Sequence, residues 1–450
     1  MDVASLIEKY DARVPRYTSY PTAPHFSPAI DAARYRGWLA ALPDGAALSL
    51  YLHVPFCTRL CWYCGCHTTV VNRPAPVAAY AGTLLAEIDL LSAAIGRRLE
   101  VRHVHWGGGT PTVMGPERMA AVMQRLRARF AFHPGAEVAV EIDPCVADAQ
   151  VVDGLAGMGC TRASLGVQDF DPRVQQAVNR IQSFETTRAC AEALRRRGIR
   201  SINVDLMYGL PYQSAAGMAE TVGRTLELAP DRLAVFGYAH VPWMKKHQSL
   251  LPEQALPGPL ARWEQAQAAE RVITRAGWRA IGLDHYASGE DELARALEAG
   301  TLRRNFQGYT TDTAPVLLGL GTSSIGSLPE GYVQNAAVLP DWRASVRAGV
   351  LPISRGVALT AEDRLRRDVI ESLMCQGRVT LRTVAARHAA DPAILLAAAP
   401  RLEEMARDGL IDFDGDALAV RPEARLFVRT VTAVFDAYLQ PGQPRHARAV

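Results

Sequence analysis

The sequence predicts an α/β protein: a partial (β/α)6-type barrel with extra strands, preceded by an N-terminal arm and followed by a mostly helical C-terminal domain. Three observations carry that prediction. From Leu48 onward, short apolar and β-branched runs alternate with longer amphipathic segments. The crossovers between runs are long enough to bring each strand back parallel to the last. After about residue 290 this rhythm fades, and a separate helical pattern starts near Leu359. A chain of 450 residues also exceeds what one core usually holds, so a large domain with a smaller companion is expected.

Residues 1–44 open with a short helical pattern and pass into Pro15-Arg16-Tyr17-Thr18-Ser19-Tyr20-Pro21-Thr22, where prolines forbid regular helix. Such a segment reads as an arm packed on the surface. Its tyrosines, arginine and hydroxyls would also suit closure over a ligand. Candidate strands then fall at 48–54, 101–106, 136–142, 162–167, 201–207 and 232–239, with a further one at 278–283. Helical patterns at 76–95, 116–130, 147–158, 184–196 and 215–228 lie between them. Residues 45–355 are read as one unit that ends in turn-rich stretches at 303–311 and 319–326; the second does not complete G-x-G-x-x-G. In residues 356–450, Thr360-Ala361-Glu362-Asp363 is a capping box opening a helix to Met374. Helices follow from about Leu381 and Pro392, and an Asp-Gly turn joins 411–413 to 417–420 as a hairpin. This is winged-helix-like, but Arg364, Arg366 and Arg367 are balanced by nearby acids, which favours a packing module over a DNA reader. The tail from Pro441 is expected to be disordered.

Composition excludes some classes. A hydrophobic fraction of 49% with 21% charge is ordinary for a globular protein, and the net charge of +3 comes from basic residues spread along the chain, which argues against a nucleic-acid partner. The N-terminus has no basic segment followed by an apolar one, and no run of ~18 apolar residues stands out. A cytoplasmic protein without a membrane span is expected.

The chemistry concentrates in residues 51–66, YLHVPFCTRLCWYCGC, directly after the first strand pattern. Cys57, Cys61 and Cys64 form a C-x3-C-x2-C array, and Cys66 follows two residues later. Clustered thiolates suit zinc or an iron-sulfur cluster. A closed zinc site usually draws ligands from a second knuckle, and no second C-x2-C exists here. Three cysteines can instead hold three irons of a 4Fe-4S cluster and leave the fourth open. Cys145, Cys160, Cys190 and Cys375 are scattered singly and read as buried apolar side chains.

In a parallel barrel the reactive ends are the C-terminal ends of the strands. The cysteine loop leaves the first strand there, and other unusual residues collect at the same level. His103, His105 and Trp106 lead into Gly107-Gly108-Gly109-Thr110-Pro111. Glu141 and Asp143 close the third strand, Gln168 and Asp169 the fourth, Asp205 the fifth, and Tyr238, Ala239 and His240 the sixth. Strand parity puts Glu137, Ala139, Glu141 and Asp143 on one face, and Arg162, Ser164, Gly166 and Gln168 on one face of the next strand. Taken singly, Asp143 could cap the following helix and Asp205 could be a structural carboxylate.

The cysteine spacing resembles the radical S-adenosylmethionine (SAM) superfamily. PRYTSYPT, HVPFCTRLCWYCGC, HWGGGTPT, EIDP, LGVQDF, VNR, NVDLMYGLP, YAHVPW, RNFQGYTT and RRDVIESLMC together resemble the oxygen-independent coproporphyrinogen III oxidases (dehydrogenases) of haem biosynthesis, over nearly the whole chain. The resemblance implies a radical SAM barrel in which Cys57, Cys61 and Cys64 ligate a 4Fe-4S cluster. It implies that Gly108, Gly109 and Thr110 contact the methionine end of SAM, that Tyr51, Tyr63, Glu141, Gln168, Arg180 and Asp205 line the rest of its site, and that Ala239 and Ile325 touch a second SAM. Cys66 matches a family cysteine outside the ligand set and is carried over as the candidate catalytic residue. The implied reaction generates a 5'-deoxyadenosyl radical that abstracts a propionate β-hydrogen. Carbon dioxide and one electron then leave, on rings A and B, converting coproporphyrinogen III to protoporphyrinogen IX. An electron donor and an acceptor are implied as partners, and a monomer is expected. The substrate's carboxylates call for cationic donors. Arg16, Arg303 and Arg304, helped by Tyr20 or Lys245, stand in suitably irregular segments. Two other readings remain open: a haem chaperone or haem-modifying relative of the same superfamily, and a zinc-binding winged-helix regulator. The chaperone branch generally lacks the PRYTSYPT arm and the Cys64-Gly65-Cys66 ending.

Overall fold

In the computed structural model, which describes residues 2–439 and Arg448, six parallel strands pair in chain order: β1 (Ala47–Val54), β2 (Glu100–Gly108), β3 (Ala131–Ile142), β4 (Arg162–Gln168), β5 (Ser201–Tyr208) and β6 (Arg232–Gly237). All six sequence-predicted strands are present. β3 starts earlier than expected because Ala131 and Phe132 pair with β2 ahead of a register shift, and Pro134-Gly135 hides that beginning in the sequence. β6 stops at Gly237, so Tyr238 and Ala239 already belong to the following loop.

The edges differ more. The strand expected at 278–283 is only Arg279–Ile281, and it runs antiparallel to His285–Ala287, which pairs antiparallel with β6. At the other edge Val316–Leu320 lies parallel to β1, and Ile325–Leu328, Gly331–Asn335 and Ile353–Ala358 continue the sheet antiparallel. The twelve-stranded sheet has its outermost strands at opposite ends, so the barrel stays open. The turn-rich 303–311 stretch is a hairpin of Arg303–Asn305 with Gly308–Thr310. Strands this short carry too little periodicity to be read from sequence.

Alternation sorts the side chains. β4 buries Ala163, Leu165 and Val167 on its helix-facing side, and β5 buries Ile202, Val204 and Leu206. Each fully buried branched side chain stabilises by about 1.5–3 kcal/mol. The opposite, inward faces carry Ser164, Gly166, Gln168, Asn203 and Asp205, as strand parity predicts. Helix Pro74–Ile95 is long and apolar enough to cross a membrane by length and composition alone, although Glu87 and Asp89 interrupt its apolar run. Half of its apolar window is nevertheless buried in the fold, and its Glu87 accepts hydrogen bonds from the Gly321 backbone N–H, Asn335 and Trp342. That is the behaviour of a core helix.

The Thr360–Asp363 capping box opens helix Ala361–Gln376, and strands Arg378–Thr380, Ala417–Val420 and Ile411–Phe413 form a small sheet beyond it. Arg425 anchors this region to the barrel by donating to the Gly282 and Leu283 carbonyls and the Tyr286 hydroxyl and by pairing with Glu270 at 3.0 Å. The N-terminal helix Val3–Tyr10 docks on the same region, with Lys9 on Glu404 and Asp408. After it, Val14, Tyr17, Ser19 and Tyr20 are buried. The segment is therefore wedged between barrel and C-terminal region rather than laid on the surface. The tail from Pro441 lies outside the described residues except for Arg448.

Candidate active site

The cysteine loop is built by backbone pairing on both sides. Phe56–Cys57 lies parallel to Thr69–Val70, which closes the loop at its base. Trp62 N–H donates to Val178, and the 245–248 segment grips the far side: Lys245 donates to the Cys66 carbonyl at 2.8 Å, His247 bonds the Cys64 carbonyl at 2.7 Å and Gln248 donates to that of Tyr63 at 3.0 Å. Cys57, Cys61, Cys64 and Cys66 line one cavity of about 600 Å³ at the C-terminal ends of the strands. Cys57 Sγ accepts from the Thr68 and Thr110 hydroxyls at 3.2 and 3.5 Å, and Cys61 Sγ from Arg180 Nη1 at 3.6 Å. Among the described residues, no three His, Cys, Asp or Glu side chains converge as ligands of a single ion. A lone zinc therefore fits poorly, whereas thiols spread around a cavity wall, with Cys57 and Cys61 met by hydrogen-bond donors, fit a larger sulfur-ligated cluster.

Opposite the thiols stands a polar wall made by the inward faces of β3 to β5. Glu141 accepts from the Gly108 N–H at 3.1 Å and lies 3.3 Å from His105 Nε2. Asp205 accepts from Ser164 at 3.0 Å and from Asn203 at 2.7 Å. Burial, followed by the charge of Glu141, pushes its carboxyl up to about 6. Arg180 donates to the Gly166 carbonyl at 2.7 Å and sits 3.4 Å from Asp143. Burial opposes its charge, but Tyr63, Asp143 and Cys61 prevail and raise it. Asp143 also caps the next turn by accepting from the Cys145 N–H, so its capping reading holds. Gln168 adopts φ 73°, a left-handed conformation that bulky residues avoid and that tends to be kept where side chains must be aimed.

Glycine is required where the β2 turn meets the cysteine strand. A Cβ on Gly109 would stand 2.5 Å from the Phe56 carbonyl oxygen, and one on Gly108, whose φ is +110°, 2.7 Å from the His53 ring. The turn is thus pressed against the residue preceding Cys57. With the orphaned buried Nε of Arg180 and Oδ1 of Asn203 in the same wall, the donor set fits a sulfur-ligated cluster facing a polar organic ligand.

The cavity gathers Cys57, Cys61, Tyr63, Cys64, Cys66, Gly108, Gly109, Thr110, Glu141, Gln168, Arg180, Asp205 and Ala239. Tyr51 stands behind this lining, its hydroxyl 3.0 Å from His53 Nδ1 and its ring 5.9 Å from that of His105. Ile325 lies off the cavity, packed against the cluster of Phe26, Tyr332 and Leu359. The five candidate substrate residues do not share one cleft. Arg16 reaches the thiol cavity and donates to the Gly237 carbonyl at 3.0 Å. Lys245 is engaged by the Cys66 carbonyl. Tyr20, Arg303 and Arg304 line a separate cavity of about 370 Å³, where Arg303 pairs with Glu371 and Arg304 stacks 4.4 Å over Tyr309. Asp169, although at a strand end, is a buried structural acceptor for Thr221 and Gln213. Cys145 is exposed, against expectation, while Cys160, Cys190 and Cys375 are buried. Sequence reasoning did not single out Asn203, which holds Asp205; its place two residues earlier on the same face was the available signal. It also missed His53, which bonds the His67 carbonyl from the adjoining end of β1, and His247, which reaches the loop from a distant segment.

A family model for the radical SAM superfamily matches residues 51–224, and one for the HemN C-terminal domain matches 359–427. The chain is 54% identical over 440 residues to the oxygen-independent coproporphyrinogen III oxidase of Bradyrhizobium diazoefficiens, covering 98% of each protein. It is 39% identical over 439 residues to that of Escherichia coli, covering 97% of this chain and 95% of the relative. The solved structure of the Escherichia coli coproporphyrinogen III oxidase, a radical SAM enzyme, superposes with a TM-score of 0.90 at 38% identity, over 97% of this chain and 99% of that one. With the thiol loop, the glycine turn and the carboxylate wall in one cavity and this likeness running end to end, the chain belongs to the oxygen-independent coproporphyrinogen III oxidase family of radical SAM enzymes.

Proposed function

We propose that this cavity carries out the oxygen-independent oxidative decarboxylation of the ring A and B propionates of coproporphyrinogen III, giving protoporphyrinogen IX. The observation that supports it best is the arrangement of one wall of thiols against one wall of carboxylates at the strand ends, in a chain alike from end to end to proteins of that name. Cys57, Cys61 and Cys64 hold the 4Fe-4S cluster. Gly108, Gly109, Thr110, Glu141, Gln168, Arg180 and Asp205, with Tyr51 and Tyr63 nearby, hold SAM, and Ala239 and Ile325 are assigned to a second SAM. Bound together, the reduced cluster and SAM supply a one-electron bond cleavage and a carbon radical able to take the propionate β-hydrogen, after which carbon dioxide and one electron leave.

The chain's own contribution is position and environment. Arg180 neutralises the charge at Cys61 and is braced by Asp143 and the Gly166 carbonyl. Above pH 6 Asp205 is ionised, with Ser164 and Asn203 fixing it as an acceptor for hydroxyls. Buried Tyr63 and Tyr238 keep water from one side. Cys66, on the same cavity but outside the ligand set, is assigned the catalytic role. Residues 1–44 serve as an arm over the site, 45–355 as the catalytic domain and 356–450 as a packing module. The chain works as a cytoplasmic monomer served by a separate electron donor and acceptor. In support, arm, barrel and C-terminal region together line the cavity of about 370 Å³ within a single chain, and free thiols call for a reducing compartment.

The test is anaerobic incubation of reconstituted protein with SAM, a reductant and coproporphyrinogen III. Protoporphyrinogen and 5'-deoxyadenosine should both form. Absence of both would overturn the reading, and 5'-deoxyadenosine alone would point to a haem-modifying relative with another substrate.

A further inference from the structure

Beside the thiol cavity, and sharing with it Arg16, Gly237, Tyr238 and Ala239, lies a smaller one of about 30 Å³. Among the described residues Arg16, Arg262, Arg429 and Arg448 line it with one carboxylate, Asp284, while Arg448 pairs with Asp11 at 3.0 Å. Asp284 is already engaged by His285 at 2.8 Å and, more loosely, by Arg304 at 3.9 Å. Arg429 donates to the Val14 carbonyl, and burial, then the neighbouring Arg16, pushes it down to about 10. Arg262 is the outlier. Among the described residues its guanidinium makes no hydrogen bond and no ion pair and rests on the Tyr208 ring, 5.6 Å from the centroid.

A half-buried guanidinium without an acceptor is costly unless a ligand supplies one. Gly237 leaves the approach open: a Cβ there would stand 3.3 Å from Arg262 Nη2 and 2.8 Å from the Tyr208 hydroxyl, at the border of the two cavities. The space takes one or two water-sized groups, which is the size of a carboxylate head. The fork of an arginine suits that head in two-pronged fashion.

We propose that Arg262, flanked by Arg16 and Arg429, forms a subsite for a substrate carboxylate other than the one being removed, and so fixes which propionate faces the thiol cavity. The proposal rests on coproporphyrinogen III being the substrate. Arg262 binds and positions; it takes no part in bond cleavage.

The test uses the reconstituted holoenzyme and its Arg262→Gln and Gly237→Ala variants. The second closes the approach while leaving every charge in place, so it decides the matter should Arg262→Gln fail to fold. Binding of oxidised coproporphyrin III and of its tetramethyl ester is read by fluorescence under anaerobic conditions, alongside KM, kcat and the cluster's absorbance. Both variants should weaken the tetra-acid and raise KM by about tenfold or more, the scale of one lost charge-assisted pair. Ester binding, kcat and cluster absorbance should stay close to wild type. Variants that bind the tetra-acid as wild type does, while wild type converts coproporphyrinogen III, would overturn the subsite alone. A wild type that neither converts coproporphyrinogen III nor prefers acid over ester would overturn the substrate reading and the subsite with it.

Discussion

Replacing Gly109 by alanine should disable the cofactor chemistry while leaving the protein folded. The added Cβ would lie 2.5 Å from the Phe56 carbonyl oxygen and 2.9 Å from its carbon, both backbone atoms that cannot rotate away. Reaching the 3.4 Å of ordinary contact requires a shift of roughly 0.9 Å between the β2 turn and the strand that carries Cys57. Two hydrogen bonds resist it, Gly109 N–H to Val54 at 2.8 Å and Thr110 N–H to Phe56 at 2.7 Å. Overpacking of this kind costs about 1–3 kcal/mol, within the ~5–15 kcal/mol that keeps a domain folded. Catalysis is less forgiving, because a displacement near 1 Å is worth about a hundredfold in rate. Reductive cleavage of SAM, followed as 5'-deoxyadenosine, should therefore fall by about two orders of magnitude, with far-UV circular dichroism unchanged. Gly82→Ala is the control: the same methyl, on the exposed side of helix Pro74–Ile95, meets nothing within 4 Å. A Gly109→Ala protein that cleaves SAM at the wild-type rate would refute the claim that this turn fixes the cysteine strand.

Three further perturbations separate the roles. Because the Asp205 carboxyl is raised to about 6, the KM for SAM in wild type should climb as pH falls through that value, whereas Asp205→Asn should show a high KM without that dependence. The same raised value means that whatever Asp205 contributes to stability is greatest below its unfolded value of 3.8 and is lost as pH rises through about 6. Chemical denaturation should accordingly show the Asn variant gaining on wild type over that interval. Cys61→Ser should lose cluster iron by direct iron and sulfide analysis, while Cys66→Ser keeps the iron and loses protoporphyrinogen formation. Arg425→Ala strands a half-buried Glu270 and three acceptors at the seam with the C-terminal region, which should cost about 1–3 kcal/mol and lower the Tm in calorimetry.

What could be read from the sequence follows the range of the forces involved. The barrel strands and the inward row of Ser164, Gly166, Gln168 and Asp205 are legible because period-two alternation is local and each strand repeats it. The convergence of candidate site residues on one cavity is legible for a related reason. A parallel sheet delivers the C-terminal end of every strand to one rim, so residues far apart in the chain but alike in strand position meet without any further information. The failures sit where that rule stops. Cys145 is one turn beyond β3, and nothing in the local pattern tells an exposed thiol from a buried one.

The substrate side shows the limit most clearly. Arg16, Arg303 and Arg304 were grouped because all stand in irregular segments, but irregularity only says that no ladder holds them. Their placement comes from contacts across the whole chain: Arg16 with Gly237 over 221 residues, and Arg304 with the Arg16 carbonyl over 288. Those contacts put Arg16 on the thiol cavity and Arg304 behind it, at the edge of a different space. Arg262 has the opposite history. It lies in the regular helix Pro259–Arg275, whose local pattern carries no sign of a ligand. Only the fold reveals that this helix turns the guanidinium under Gly209 and Gly237 and offers it no acceptor. A residue whose interaction is completed by a ligand carries no partner in its own sequence, so the part of the site that selects the substrate is the part least written in local pattern.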